Sequence, residues 1–160
     1  MANKKIIVYY SFDGNTKFVA ENIARIINAD LLELKPVRDE IPRNFMKYFW
    51  GGRQVFMKRK PILLPLTLDP QDYDAVFIAT PVWAFNYTPP IASFFEAVKL
   101  EKKRIGLICC SGGMKGKTFE NMKEKLSGNE IIGELHLKEP LRSKEKSLEK
   151  IESWLKAIEI

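Results

Sequence analysis

The chain is short of the residues that most often carry hydrolytic or metal chemistry. It has two cysteines, side by side at Cys109 and Cys110, and one histidine, His136. Two adjacent cysteines build no disulfide framework, and no His/Cys spacing suits zinc. Neighbouring cysteines bridge only with strained geometry, so both read as small core residues at the end of a strand. His136 lies in a strand-like run and reads as structural. No Ser-His-Asp or Cys-His system can be assembled, and no catalytic residue is assigned. No apolar run approaches 18 residues, so no membrane span is expected. The start, MANKKIIVYY, lacks an apolar region followed by a small-residue cleavage site, and the expected location is cytoplasmic. Two phosphate motifs are also missing. There is no G-x-x-x-x-G-K-[ST] and, after the first strand, no G-x-G-x-x-G.

What is present suits one folded domain. The 160 residues are 46% apolar and 29% charged, enough for a full core but not for two domains, so residues 1–160 are read as one unit. The net charge of +6 is local. Between Ile41 and Leu68 stand Arg43, Lys47, Arg53, Lys58, Arg59 and Lys60 with no acid, and the remainder balances at 20 of each sign. Apolar runs alternate with helical patterns five times. Strands are expected at 6–10, 29–34, 75–79, 105–110 and 131–137. Helices are expected after residue 15, over 90–100 and 118–126, and from Ser143 onward. Such alternation predicts a parallel sheet with helices on both faces. No Asn-Gly or Asp-Gly sits between two strand-like runs as a hairpin turn would. In such sheets ligands bind at the carboxyl ends of the strands. Three loops leave those ends with unusual chemistry: 11–16, 80–89 and 111–117.

The first loop follows the strand Ile6–Tyr10 and reads Ser11, Phe12, Asp13, Gly14, Asn15, Thr16. A strand, a tight turn and a helix start make an anion site, because the first helical N–H groups lack partners and the helix dipole adds positive charge there. Gly14 tolerates positive φ, and Ser11, Asn15 and Thr16 can add hydrogen bonds. The bland alternative is that Asn15 or Thr16 only caps the helix. Asp13 would repel a phosphate, so its carboxylate is expected to turn away or to bond local backbone. The second loop, TPVWAFNYTPP, brings Thr80, Pro81, Val82, Trp83, Ala84, Phe85 and Tyr87 onto a proline-stiffened segment. Exposed aromatics there suit a flat, apolar ligand, and stacking contributes about 1 kcal/mol per ring beyond area burial. Alternatively they pack under the loop onto the next helix. The third loop, CSGGMKGKT, offers Ser111, Gly112 and Gly113 as backbone that can approach a ring edge.

Ser-x-x-Gly-Asn-Thr after the first strand, with Thr-Pro-Val-Trp and Tyr-x-Pro-Pro in the second loop, resembles the flavodoxins, over nearly the whole chain. The resemblance implies a doubly wound five-stranded sheet in the order 2-1-3-4-5 and a non-covalently bound FMN. It implies that the 11–16 loop cradles the phosphate and that loops 80–88 and 111–117 flank the ring. Flavodoxins usually surround the ring with acids, whereas this chain has Lys115 and Lys117. Lysines at the pyrimidine edge would stabilise the anionic reduced flavin and raise the potential, unless they point to solvent. The expected role is electron transfer between redox proteins. The alternative is an NAD(P)H-dependent flavin or quinone reductase using the same site. The basic aromatic stretch 43–60, RNFMKYFWGGRQVFMKRK, has two candidate uses: closing over the ring, or meeting an acidic redox partner. Nucleic acid is not expected, since the remaining charge balances and no binding motif accompanies the stretch. Oligomeric state is not legible.

Overall fold

The strand β1, Lys5–Tyr9, shows why this sheet sits in the middle of the molecule. Ile6, Ile7 and Val8 are all fully buried. Side chains alternate across a strand, so burial of consecutive residues needs cover on both faces. The computed structural model describes residues 3–38 and 60–160. Within them, β1 pairs in parallel with β2, Asp30–Glu33, and with β3, Ala75–Trp83. A two-residue strand β4, Asn86–Tyr87, folds back on the end of β3. β5, Arg104–Ser111, lies parallel to β3, and β6, Glu130–Lys138, is parallel to β5. The order is β2-β1-β3-β5-β6. Counting parallel strands alone, this is the expected 2-1-3-4-5.

Helices cover both faces. Helix α1, Asn15–Ile27, and helix α4, Lys144–Ala157, lie on one. There Val19, Ala20, Ile23, Ile151 and Leu155 pack with Ile7, Phe77 and Ile108. Helix α2, Pro89–Ala97, and helix α3, Thr118–Glu124, lie on the other. There Ile91, Phe94, Phe119 and Met122 pack with Ile6, Val8, Ile78 and Leu107. Cys109 and Cys110 fall on opposite faces, both buried and both free thiols. A register shift between Ile105 and Gly106 sets Gly106 opposite Gly133. Together they form a dent for Trp154: a Cβ on Gly106 would sit 2.5 Å from the Phe77 ring, and one on Gly133 2.9 Å from the indole Nε1.

Among the described residues, the sequence reading of the strands and helices holds within a few residues. It lacks the β4 hairpin, whose two central turn residues, Ala84 and Phe85, are neither Gly nor Asn. The basic aromatic stretch lies outside the described residues apart from Lys60. The chain on either side of that stretch is tied down. Pro36 bridges Leu63, and the Val37 amide donates to Ile62 O at 2.8 Å. Ser93 Oγ donates to Pro61 O at 2.6 Å, and Lys60 is ion-paired with Glu96 on α2. Among the described residues, no helix is long and apolar enough to cross a membrane.

Candidate functional site

Parallel pairing brings the carboxyl ends of β1, β3 and β5 to one edge, and the three loops meet there. Gly14 precedes α1 with φ 95°, a left-handed geometry that favours glycine, and its carbonyl accepts from Phe18 N at 3.0 Å. Asp13 Oδ1 accepts from Asn15 N at 3.1 Å. Its carboxylate therefore bonds local backbone, as electrostatics requires beside an anion site. Ser11 Oγ accepts from Lys17 N at 3.1 Å, which still leaves its own proton to donate. Thr16 sits between these two amides. Its Oγ1 is fully buried and has no hydrogen-bond partner among the described residues. The Cys110 thiol lies beside it, but a thiol is a weak hydrogen-bonding group and does not satisfy the hydroxyl. A buried hydroxyl without a partner costs about 1–3 kcal/mol. An anion with oxygen acceptors, seated on the helix start, would remove that penalty.

Asn15 has a structural bond as well, which leaves its Nδ2 to donate. Its Oδ1 accepts from Leu141 N at 3.0 Å, a residue 126 positions away in the turn after β6. That turn was not legible as part of the site. Glu139 adopts φ 43°, donates its amide to Ser111 O at 2.9 Å and pairs with Arg142 at 3.0 Å. The turn therefore clamps the first loop to the third. A cavity of about 60 Å³ joins all four segments, with Asp13, Thr16, Val82, Trp83, Gly112 and Glu139 in its wall. Asn15, Pro81 and Ser111 also border it. Its volume suits a phosphate-sized group and is too small to enclose a ring system.

The second loop holds the least expected geometry. After Trp83 the chain turns at Ala84 and Phe85, with φ 49° and 62°. Two consecutive left-handed residues make the primed turn that suits a tight hairpin, usually built from Asn-Gly. For ordinary L-residues this costs roughly 1–2 kcal/mol each. Contacts from the third loop hold it. Lys117 N donates to Phe85 O at 3.0 Å, and Gly116 packs so closely that a Cβ would lie 2.3 Å from Phe85 Cβ. Asn86 Oδ1 accepts from Asn121 Nδ2 at 3.0 Å, tying the hairpin to α3 as well. Gly116 thus serves loop-to-loop packing, whereas Cβ atoms at Gly112 and Gly113 would meet nothing within 4 Å.

The aromatics divide. Phe85 projects outward at 63% exposure, and Met114 of the third loop is 75% exposed. Trp83 is 7% exposed, with Tyr10 and Phe12 edge-on to it at 5.8 and 5.7 Å. Tyr87 packs edge-on against Phe95 of α2 at 5.3 Å. Thr80 is wholly buried, where its hydroxyl donates to Pro81 O and accepts from Thr88 N. Of the aromatics expected to cover a ring, only Phe85 is exposed, and Trp83 borders the small cavity. Lys115 does not point freely to solvent, since its Nζ lies 5.5 Å above the Phe119 ring. Burial pushes the Cys110 thiol up to about 12, and Asp13 adds to the rise while the Thr16 hydroxyl opposes it.

A family model described as flavodoxin matches residues 4–158. The chain belongs to the flavodoxin family. Solved structures agree on the fold. A flavoprotein in complex with FMN from Lactobacillus acidophilus NCFM is 24% identical, with a TM-score of 0.73 over 90% of this chain and 98% of that one. Flavodoxin 2 from Bacillus cereus is 16% identical, with a TM-score of 0.63 over 97% of each chain. The WrbA-like flavodoxin from Agrobacterium tumefaciens is 16% identical, with a TM-score of 0.63 over 99% of this chain and 95% of that one. None of the curated proteins matches the chain. The donor set fits the family's cofactor: an orphaned buried hydroxyl at a helix start suits the phosphate of FMN. Family membership and this fit together support FMN as the cofactor.

Proposed function

We propose that this flavodoxin-family chain binds one FMN without a covalent link and passes electrons between redox proteins. The Thr16 hydroxyl at the start of α1, buried with only the weak Cys110 thiol beside it among the described residues, carries the reading. With the Ser11 proton it forms a phosphate site at the helix start, where the dipole adds positive charge although the Asn15 and Lys17 amides already donate to Asp13 and Ser11. The ring lies over the rim beside Phe85, Gly112 and Gly113. When bound, FMN supplies reversible electron transfer in one- or two-electron steps. The chain's own residues orient the ring, and Phe85 and Met114 shield it from water. The Lys115 and Lys117 charges favour a reduced, anionic ring. In this reading the partner is an acidic protein that meets the basic stretch 43–60, and the reaction takes place in the cytoplasm.

One observation favours a second reading. A cavity of about 530 Å³ opens between the hairpin, α2 and α3, with Asn86, Tyr87, Phe95, Asn121 and Glu124 in its wall. A space of that size suits a small aromatic substrate, as an NAD(P)H-dependent flavin or quinone reductase needs. Anaerobic reductive titration of the FMN-loaded protein, followed by visible absorbance, separates the two. Two resolved one-electron steps support the carrier. Passage in a single two-electron step supports the reductase. A chain that takes up no FMN refutes both.

A further inference from the structure

Ser111 ends β5, and its Oγ lies between two partners. It donates to Gly113 O at 2.8 Å, and His136 Nε2 stands 2.6 Å away. A serine hydroxyl has one proton and two lone pairs. If the proton goes to Gly113 O, the imidazole has to supply the other hydrogen, so Nε2 carries the proton. If Nε2 were bare, the serine proton would turn to it and the Gly113 carbonyl would lose its partner. The protonation of one ring nitrogen on β6 therefore decides the shape of the 111–113 turn. A Cβ at Gly112 or Gly113 would meet nothing within 4 Å, so this turn stands open on the side where the flavin edge lies in the proposed function.

The surroundings of His136 favour the neutral ring. It is half-buried on β6, opposite Cys109 of β5. Lys115 from the third loop and Lys150 from α4 both face it, and both disfavour a second proton. The carboxylate on its own strand, Glu134, is held by Lys123 at 2.7 Å. Desolvation acts in the same direction as the lysines. A neutral imidazole has one N–H, and with the Ser111 proton given to Gly113 O, the 2.6 Å contact calls for that hydrogen on Nε2.

We propose that His136 is a positioning residue for the flavin loop: its Nε2–H holds the Ser111 hydroxyl, which in turn locks Gly113 and presents the 112 and 113 amides to the ring. The proposal rests on the FMN reading above. Neither residue touches the reacting atoms.

Long-range ¹H–¹⁵N correlation of the imidazole at pH 7 tests the tautomer directly. A protonated Nε2 and bare Nδ1 are expected, in FMN-free and FMN-loaded protein alike; the reverse overturns the proposal. Flavin fluorescence quenching then reads affinity in variants. His136→Leu and Ser111→Ala each weaken FMN about tenfold. His136→Gln keeps an N–H donor at similar reach and stays within about threefold of wild type. The double change H136L/S111A is no worse than either single change, because both break one chain of bonds. Wild-type affinity in His136→Leu overturns the proposal, as do additive effects in the double variant. A general loss of fold in His136→Leu would leave the imidazole tautomer, Ser111→Ala and the near-wild-type affinity of His136→Gln to decide. Wild-type protein that binds no FMN refutes the cofactor reading and this proposal together. Wild-type binding with an indifferent His136→Leu refutes this proposal alone.

Discussion

Replacing Thr16 with valine should move stability and cofactor affinity in opposite directions. Valine keeps the shape and the β-branch, and the helix propensities of the two residues are close. Only the hydroxyl is lost. In the FMN-free chain that hydroxyl is fully buried and lacks a hydrogen-bond partner among the described residues. Removing it relieves a desolvation penalty of about 1–3 kcal/mol. For a chain of this length, each 1 kcal/mol shifts Tm by about 2–4 °C. The FMN-free T16V protein should therefore melt several degrees higher than wild type. Binding should suffer, because a hydrogen bond to a charged group contributes about 1.5–3 kcal/mol. That corresponds to a Kd roughly 10- to 150-fold higher. Calorimetric melting of the FMN-free protein and fluorescence titration with FMN measure both. A T16V protein that melts lower and binds FMN normally would refute the reasoning, since Thr16 would then be a core residue with an unseen structural partner.

Three further expectations follow from the loops and buried groups. Gly116→Ala drives a methyl to 2.3 Å from Phe85 Cβ at a φ of +56°; it should lower the melting temperature and weaken FMN, whereas Gly112→Ala, with nothing within 4 Å, should leave FMN-free stability within about 0.5 kcal/mol and weaken only FMN. Ala84→Gly relieves a left-handed alanine at φ 49°; denaturant unfolding should show the variant unchanged or up to about 1 kcal/mol more stable. Burial, with Glu33 and Glu21 nearby, raises Tyr9 to about 12, and the hydrogen bond to Asp30 chiefly raises Tyr73 to about 12. The unfolded phenols ionise first, so their contribution is complete below pH 10 and is lost as the pH rises from 10 to 12. Denaturant midpoints across that range should fall steadily, and a flat profile would contradict the assignment.

The central strands were legible because burial on both faces leaves unbroken apolar runs at 6–9, 75–79 and 105–110. The order of those strands came from the likeness of two loops to a family, since spacing does not encode it. Asp13 was readable from electrostatics alone: a carboxylate at an anion site has to turn to backbone, and it does. The Ala84–Phe85 turn was not readable. Its sequence has neither Gly nor Asn at the turn, and its left-handed geometry is held by Gly116 and Lys117, more than thirty residues downstream. Trp83 and Tyr87 read as ring cover ahead of packing, and tertiary contacts with Tyr10, Phe12 and Phe95 hold them inward. The clamp from Leu141 to Asn15 joins residues far apart in the chain and left no local pattern. His136 looked structural from its strand, and its pairing with Ser111 became visible only once β5 and β6 lay side by side.

The most direct test compares FMN with riboflavin, which lacks the phosphate, in parallel titrations of the FMN-free protein. The 11–16 loop, with Thr16 at its centre, predicts that FMN binds at least a hundredfold more tightly, and that Thr16→Val narrows the gap. Equal affinity for the two flavins, or no binding of either, would contradict the account.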